Sequence, residues 1–307
     1  MRFATIATPA GPVAAVHLPN GRMLPVAAAA RGAGVNDAAL LQGSLQALIE
    51  GGAAALALLA RVIDKADPAL TLAEDATTLL APLPRPEKNV FCVGRNYADH
   101  IAEGARAQKT VVAVTEVPVF FTKPRTAVIG PGAMVPIFPH VSMQMDYEVE
   151  LAVIIGKAGR DIAPERAFDH VWGYTILNDV TARDVQRRHG GQFFKGKGLD
   201  GSCPMGPVVV TRDEVPEPQN LGLRCRVNGA LRQSGSTAQM IFDIPALIAS
   251  LSAGMTLEPG DILTTGTPAG VGYAMQPPQF LADGDEVVCE IDGIGRLANR
   301  VRLVGRD

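Results

Sequence analysis

Residues 145–155, reading MDYEVELAVII and stopping at Gly156, constrain this chain more than any other stretch. The first half alternates. Tyr147, Val149 and Leu151 fall on one face of an extended strand, and Asp146, Glu148 and Glu150 on the other. The second half, Ala152 to Ile155, is wholly apolar, so the strand runs into an apolar interior. Glu148 and Glu150 then sit about 7 Å apart at Cα with both side chains pointing the same way. Two carboxylates at the mouth of a buried strand repel each other, and burying them unpaired is costly. A hard divalent cation offsets that repulsion. An exposed edge strand with a solvated acidic face is the commoner origin of an E-x-E pattern, so the pair by itself leaves both readings open.

The chain has 307 residues, room for one large domain or two unequal ones. A net charge of −3, with basic residues scattered, gives no reason to expect a nucleic-acid partner. The four cysteines, Cys92, Cys203, Cys225 and Cys289, form no C-x-x-C pair. That argues against a zinc knot or a disulfide scaffold and fits a reducing cytoplasm. Residues 1–8 lack the pattern of a secretory signal. No stretch reads as the roughly 18 apolar residues of a membrane span.

Residues 1–84 read as a small leading α/β domain, with strands at 3–6 and 13–18 and a hairpin signal at Asn20-Gly21. Residues 38–49 read as a helix, broken at Gly51-Gly52 and followed by a second helix through Ile63. The run PLPRP at 82–86 suits an extended linker and places the boundary, leaving 85–307 as the catalytic domain. A short strand at 89–93 leads to Asn96, placed to cap a helix beginning at Tyr97. On that helix His100 and Glu103 share a face, where a carboxylate fixes the imidazole tautomer and raises its basicity. A surface salt bridge gives the same pattern. Residues 104–117 lack periodicity and read as a lid or a plain loop. Asp179 ends an apolar strand, as a projecting binding residue or as a helix cap. The stretch GQFFKGKG at 191–198 meets a P-loop spacing, but Gly198 stands where the nucleotide site needs Ser or Thr. It is not read as a nucleotide site. The glycine-dense TTGTPAGVG at 264–272 would let a backbone approach a small ligand closely. The final third reads as β-rich, with Asn228-Gly229 and Asp292-Gly293 turns.

Six motifs in order, GRNYADH, DYEVEL, NDVTARDVQ, GKGLDGSCPMGP, VNGALRQSGST and GDILTTGTPAGVG, span residues 94–272. Together they resemble the fumarylacetoacetate hydrolase family from about residue 89 to residue 303. The resemblance implies an α+β, β-rich fold: a mixed β-sandwich roll, barrel-like, behind the smaller leading domain. It implies a homodimer and a divalent ion, Mg²⁺ or Mn²⁺ with Ca²⁺ as a substitute, on Glu148, Glu150 and Asp179. It carries catalytic roles over to His100, Glu103 and Lys197, and substrate contacts to Arg183, Gln186 and Thr267.

The expected activity is therefore metal-dependent C–C hydrolysis of a 2,4-dioxo acid of the acylpyruvate, fumarylpyruvate or fumarylacetoacetate type. The 2-oxo acid would chelate the ion while His100, oriented by Glu103, activates water. The family also contains decarboxylases and isomerases of oxaloacetate and of 2-hydroxyhepta-2,4-diene-1,7-dioate-type acids. These share the ion and are the alternative. A non-catalytic binding protein is a more distant one, disfavoured because neither the metal ligands nor His100 is lost.

Overall fold

The computed structural model describes residues 1–74, 78–110 and 114–305. The apolar run keeps the promise of its pattern. The strand Val149–Ile155 is buried at all seven positions and lies between Val171–Asn178 and Ile262–Thr264, antiparallel to both. Alternate residues serve two different cores, as a strand covered on both faces must. Leu151 and Val153 pack with Leu223, Cys225, Ile291 and Leu297. Ala152 and Ile154 pack with Leu48, Ile49 and Leu59.

Around this strand grows a 12-stranded mixed sheet. One face meets a five-stranded sheet built from Ala230–Ser236, Gly222–Val227, Glu286–Ile291, Gly295–Leu303 and Met134–Ile137. The other face is covered by helices of the leading segment, above all Leu45–Ile63. The class is α+β and β-rich, as expected, but among the described residues the sheet is an open sandwich rather than a closed barrel. The strand Arg2–Thr8 of the leading segment pairs with Cys203–Thr211, so residues 1–84 extend the same sheet.

Local chemistry explains where sequence and structure differ. The helix expected over 38–49 breaks at Gly43, which is left-handed at φ 72°, and Ser44 caps a new helix by accepting from the Ala47 amide. That helix runs through Gly51 and kinks at Gly52 instead of ending there. By length and mean hydropathy alone it could cross a membrane, although Gln46, Glu50 and Arg61 interrupt its apolar run. Here Leu45, Leu48, Ile49, Leu59 and Val62 bury its inner face. The strand expected from Met145 is interrupted. Met145–Asp146 pairs with Thr181–Ala182, and the main ladder starts only at Val149. Between them the Glu148 amide donates to Asn178 Oδ1. Residues 104–108 continue the helix Ala98–Gln108; the rest of the expected lid or loop includes 111–113, outside the described residues. The hairpins come out as read: Asn228 and Gly229 are both left-handed, at φ 50° and 79°.

Asn96 does not cap the helix after it, whose N-cap is Tyr97 with no side-chain bond. Its amide turns inward, donating to the Phe242 and Thr265 carbonyls and accepting from the Phe242 amide. Asn96→Ala should therefore cost about 2–4 kcal/mol of unfolding free energy, read by urea denaturation. A loss within about 0.5 kcal/mol would show that this anchor is dispensable.

Candidate active site

Antiparallel pairing brings the start of one strand beside the end of its neighbour. Val149 pairs with Asn178, and the Asp179 amide donates to the Glu148 carbonyl at 2.8 Å. Glu148 and Glu150, separated by one residue, project to one side, and Asp179 arrives next to them. Oxygens of the three carboxylates lie within 4.8 Å of one another, and all three residues are buried.

Three cations share this charge. Lys197 Nζ lies 2.8 Å from Glu148 Oε2, donates to Thr181 Oγ1 at 2.9 Å and contacts Asp179 Oδ2. Arg183 gives Nε to Asp146 Oδ2 at 2.8 Å and Nη1 to Glu148 Oε1 at 2.7 Å, and stacks on Tyr273 at 4.5 Å. Its Nη2 is buried with no acceptor. Lys123, fully buried, donates to Asp179 Oδ1 at 2.7 Å, to the Val180 carbonyl at 3.1 Å and to the Lys197 carbonyl. Burial alone would raise Glu148, but Lys197 and Arg183 outweigh it and bring its pKa down to about 2. Burial would lower Lys197, yet Asp179 and Glu148 raise it, so it stays an ammonium.

Glu150 is left on the losing side. Burial, with repulsion from Asp179 and Glu148, pushes its pKa up to about 8. Burial is the larger cause; the repulsive part comes from neighbouring carboxylates, and an added cation would relieve it. Three hard oxygen donors without sulfur suit a divalent ion such as Mg²⁺ or Mn²⁺, so the triad can hold one.

His100 and Glu103 meet as their spacing suggests, with Nδ1 2.9 Å from Oε1. Glu103 is in turn fixed by the Gly270 amide at 2.8 Å. The glycine-dense stretch thus turns several of its amides on the protein's own carboxylates. The Gly266 amide donates to Glu150, the Gly270 amide to Glu103, and the Gly272 and Tyr273 amides to Asp146. At Gly270, with φ 110°, a Cβ would come within 2.1 Å of the Arg232 carbonyl oxygen. The other glycine-rich stretch also serves packing. A Cβ on Gly196 would come within 2.6 Å of Gln186 Cα, so glycine lets the short helix Phe194–Lys197 press against Arg183–Arg188 and deliver Lys197.

Glu148, Glu150, His100, Arg183, Gln186 and Thr267 line one cavity of about 290 Å³, with Lys197 in its wall. The Thr267 hydroxyl donates to the Val149 carbonyl at 2.9 Å and accepts from Gln233 at 2.7 Å. Gly104, Ala105 and Gln108 of the helix Ala98–Gln108 also line the cavity. The sequence reading missed Lys123 and Tyr273. Lys123 lies in a short strand 56 residues from Asp179, and no local pattern announces the pair.

The family model for the fumarylacetoacetate (FAA) hydrolase C-terminal domain matches residues 89–302, a span that contains every group just described. The chain belongs to the fumarylacetoacetate hydrolase family and is an enzyme of that family. It is 54% identical over 224 residues to the oxaloacetate tautomerase YisK of Bacillus subtilis, covering 73% of this chain and 72% of that protein. It is 46% identical over 254 residues to the mitochondrial oxaloacetate tautomerase FAHD2A of Homo sapiens, covering 82% and 78%. Among solved structures, a fumarylacetoacetate hydrolase from Exiguobacterium antarcticum matches with TM-score 0.82 and 41% identity, covering 99% of this chain and 100% of that one.

Removing one member of a buried ion pair strands its partner. Lys123→Met should cost about 3–5 kcal/mol of stability, measured by chemical denaturation. A loss under about 1 kcal/mol would mean that Asp179 does not depend on Lys123 for its charge balance.

Proposed function

We propose that the chain is a divalent-metal-dependent tautomerase interconverting the keto and enol forms of oxaloacetate. The observation that carries this over hydrolysis is the 54% identity to a Bacillus subtilis protein of that name. The cavity supports the reading with groups suited to each task. Glu148, Glu150 and Asp179 would hold a divalent ion, which when bound would supply Lewis acidity toward a 2-oxo acid and its enolate. Arg183 Nη2, buried and without an acceptor, donates to an oxygen of the substrate carboxylate.

His100 moves the proton. Its Nδ1 is engaged by Glu103, so Nδ1 carries the hydrogen and Nε2 keeps a lone pair. Nε2 takes a proton from the C3 methylene of the keto form, and the keto oxygen gains one from solvent. In the other direction the enol hydroxyl releases its proton and the imidazolium returns one to C3. Lys197, held protonated by Asp179 and Glu148, keeps positive charge beside the developing oxyanion. Tautomerisation breaks no C–C bond. The same His100–Glu103 pair is also suited to activating water, which favours the hydrolytic reading as the second one.

With Mg²⁺ present, decay of the enol absorbance of oxaloacetate should accelerate at least about 100-fold over buffer, and EDTA should abolish the effect. Acylpyruvates should stay intact in the same assay. Cleavage of acylpyruvates without enol decay would replace this function by hydrolysis, and release of CO₂ from oxaloacetate would replace it by decarboxylation. His100→Ala should lower kcat about 10²- to 10³-fold. By calorimetry its Mg²⁺ affinity should stay within about threefold of wild type, because His100 is not a ligand. Asp179→Asn should do the reverse and lose Mg²⁺ binding first; unchanged affinity there would remove Asp179 from the ligand set.

A further inference from the structure

Val149 separates Glu148 from Glu150, and its peptide groups set the direction in which both carboxylates project. Its N–H and C=O face the side that Ile262–Thr264 occupies further along the strand. The ladder with that neighbour covers only Ala152 to Ile154. Past its end the Thr265 amide still reaches the Leu151 carbonyl, at 3.1 Å. Val149 itself is met by side chains.

Gln233 is the centre of that arrangement. Its Oε1 accepts from the Val149 amide at 3.0 Å. Its Nε2 donates to Thr267 Oγ1 at 2.7 Å, and the Thr267 hydroxyl passes its own hydrogen to the Val149 carbonyl at 2.9 Å. A second Nε2 bond goes to the Pro268 carbonyl at 2.8 Å. The ring of bonds closes on a single residue, so one side-chain amide stands in for the neighbouring peptide that the ladder lacks there.

Gln233 is fully buried and comes from Ala230–Ser236, the outermost strand of the five-stranded sheet. That strand and the 266–272 loop are pressed together around it. A Cβ on Gly235 would come within 2.5 Å of Pro268 Cβ, and one on Gly270 within 2.1 Å of the Arg232 carbonyl oxygen. Both hydrogens of the Gln233 amide are spent on this loop, and its oxygen on the acidic strand.

We propose that Gln233 is a positioning residue for the acidic cluster. By completing the pairing of Val149 it fixes how Glu148 and Glu150 are spaced and aimed, and it couples the second sheet to the site. This rests on the reading of Glu148, Glu150 and Asp179 as the holders of a divalent ion.

Mg²⁺ titrations of the full chain by calorimetry test it. Gln233→Leu, similar in size but unable to pair, should weaken Mg²⁺ binding about 10- to 100-fold. Thr267→Val, which cuts the link to the Val149 carbonyl, should weaken it too, whereas Thr267→Ser, which keeps the hydroxyl, should stay within about threefold of wild type. Both changes break one ring, so the double variant should lose no more than about threefold beyond Gln233→Leu. A merely structural glutamine would lower the Tm of Gln233→Leu and leave its Mg²⁺ affinity within about threefold of wild type. That result overturns the proposal. If Gln233→Leu does not fold, unchanged affinity in Thr267→Val overturns it.

Hydrogen exchange separates this inference from the ion reading. The Val149 amide should exchange at least about tenfold faster in Thr267→Val than in wild type. Faster exchange in a protein that binds no Mg²⁺ would keep the Gln233 brace and remove the ion site. Mg²⁺ binding with unchanged Val149 exchange would keep the ion site and remove the brace.

Discussion

Repulsion among buried carboxylates is the constraint around which this molecule is arranged. Asp146, Glu148, Glu150 and Asp179 are each nearly or fully removed from water, and oxygens of the last three lie within 4.8 Å of one another. Isolated buried carboxylates would protonate or disrupt the fold. Lys123, Lys197 and Arg183 offset part of the charge, and the backbone amides of the glycine-dense loop offset more. What is left over falls on Glu150, raised to about 8, and gives the site its appetite for a cation. The feature that threatens stability and the feature that makes chemistry available are one and the same.

Each compensating group arrives from a different part of the chain, so the site also ties the fold together. Lys123 comes from the strand at one edge of the large sheet, Lys197 from a four-residue helix, and Arg183 from the helix after the Asn178-Asp179 corner. Lys123 contacts both Asp179 and the backbone of Lys197, and so sets the ligand and the ammonium relative to each other. The amides of Gly270 and Gly272 hold Glu103 and Asp146 from one loop, linking the His100 helix to the acidic strand. Glycine serves there because neighbouring carbonyls leave no room for a side chain.

Much of the fold was legible where the physics is local. The apolar run at 149–155 announced a central strand, and Asn228-Gly229 announced a two-residue turn, because side-chain period and left-handed backbone are properties of a few neighbouring residues. His100 and Glu103 were legible as a pair because a helix places residues three apart on one face. Where a local signal had two outlets, tertiary context chose. Asn96 had both a helix start and a distant loop within reach, and the loop took its amide. The glycines at 266–272 announced a close backbone approach, and the fold aims their amides at Glu150, Glu103 and Asp146 of the same chain.

The sequence by itself determined that Glu148 and Glu150 project together from a strand entering an apolar interior, and its ordered motifs determined the family. The resemblance pointed to Asp179 as their companion, but only the tertiary structure decided that it meets them in space and that Lys123 and Arg183 hold the cluster's charge in check. The reason is physical. A strand's pleat fixes directions over a few ångströms, whereas charge compensation depends on distances between segments far apart along the chain, and those exist only once the sheet has closed them together.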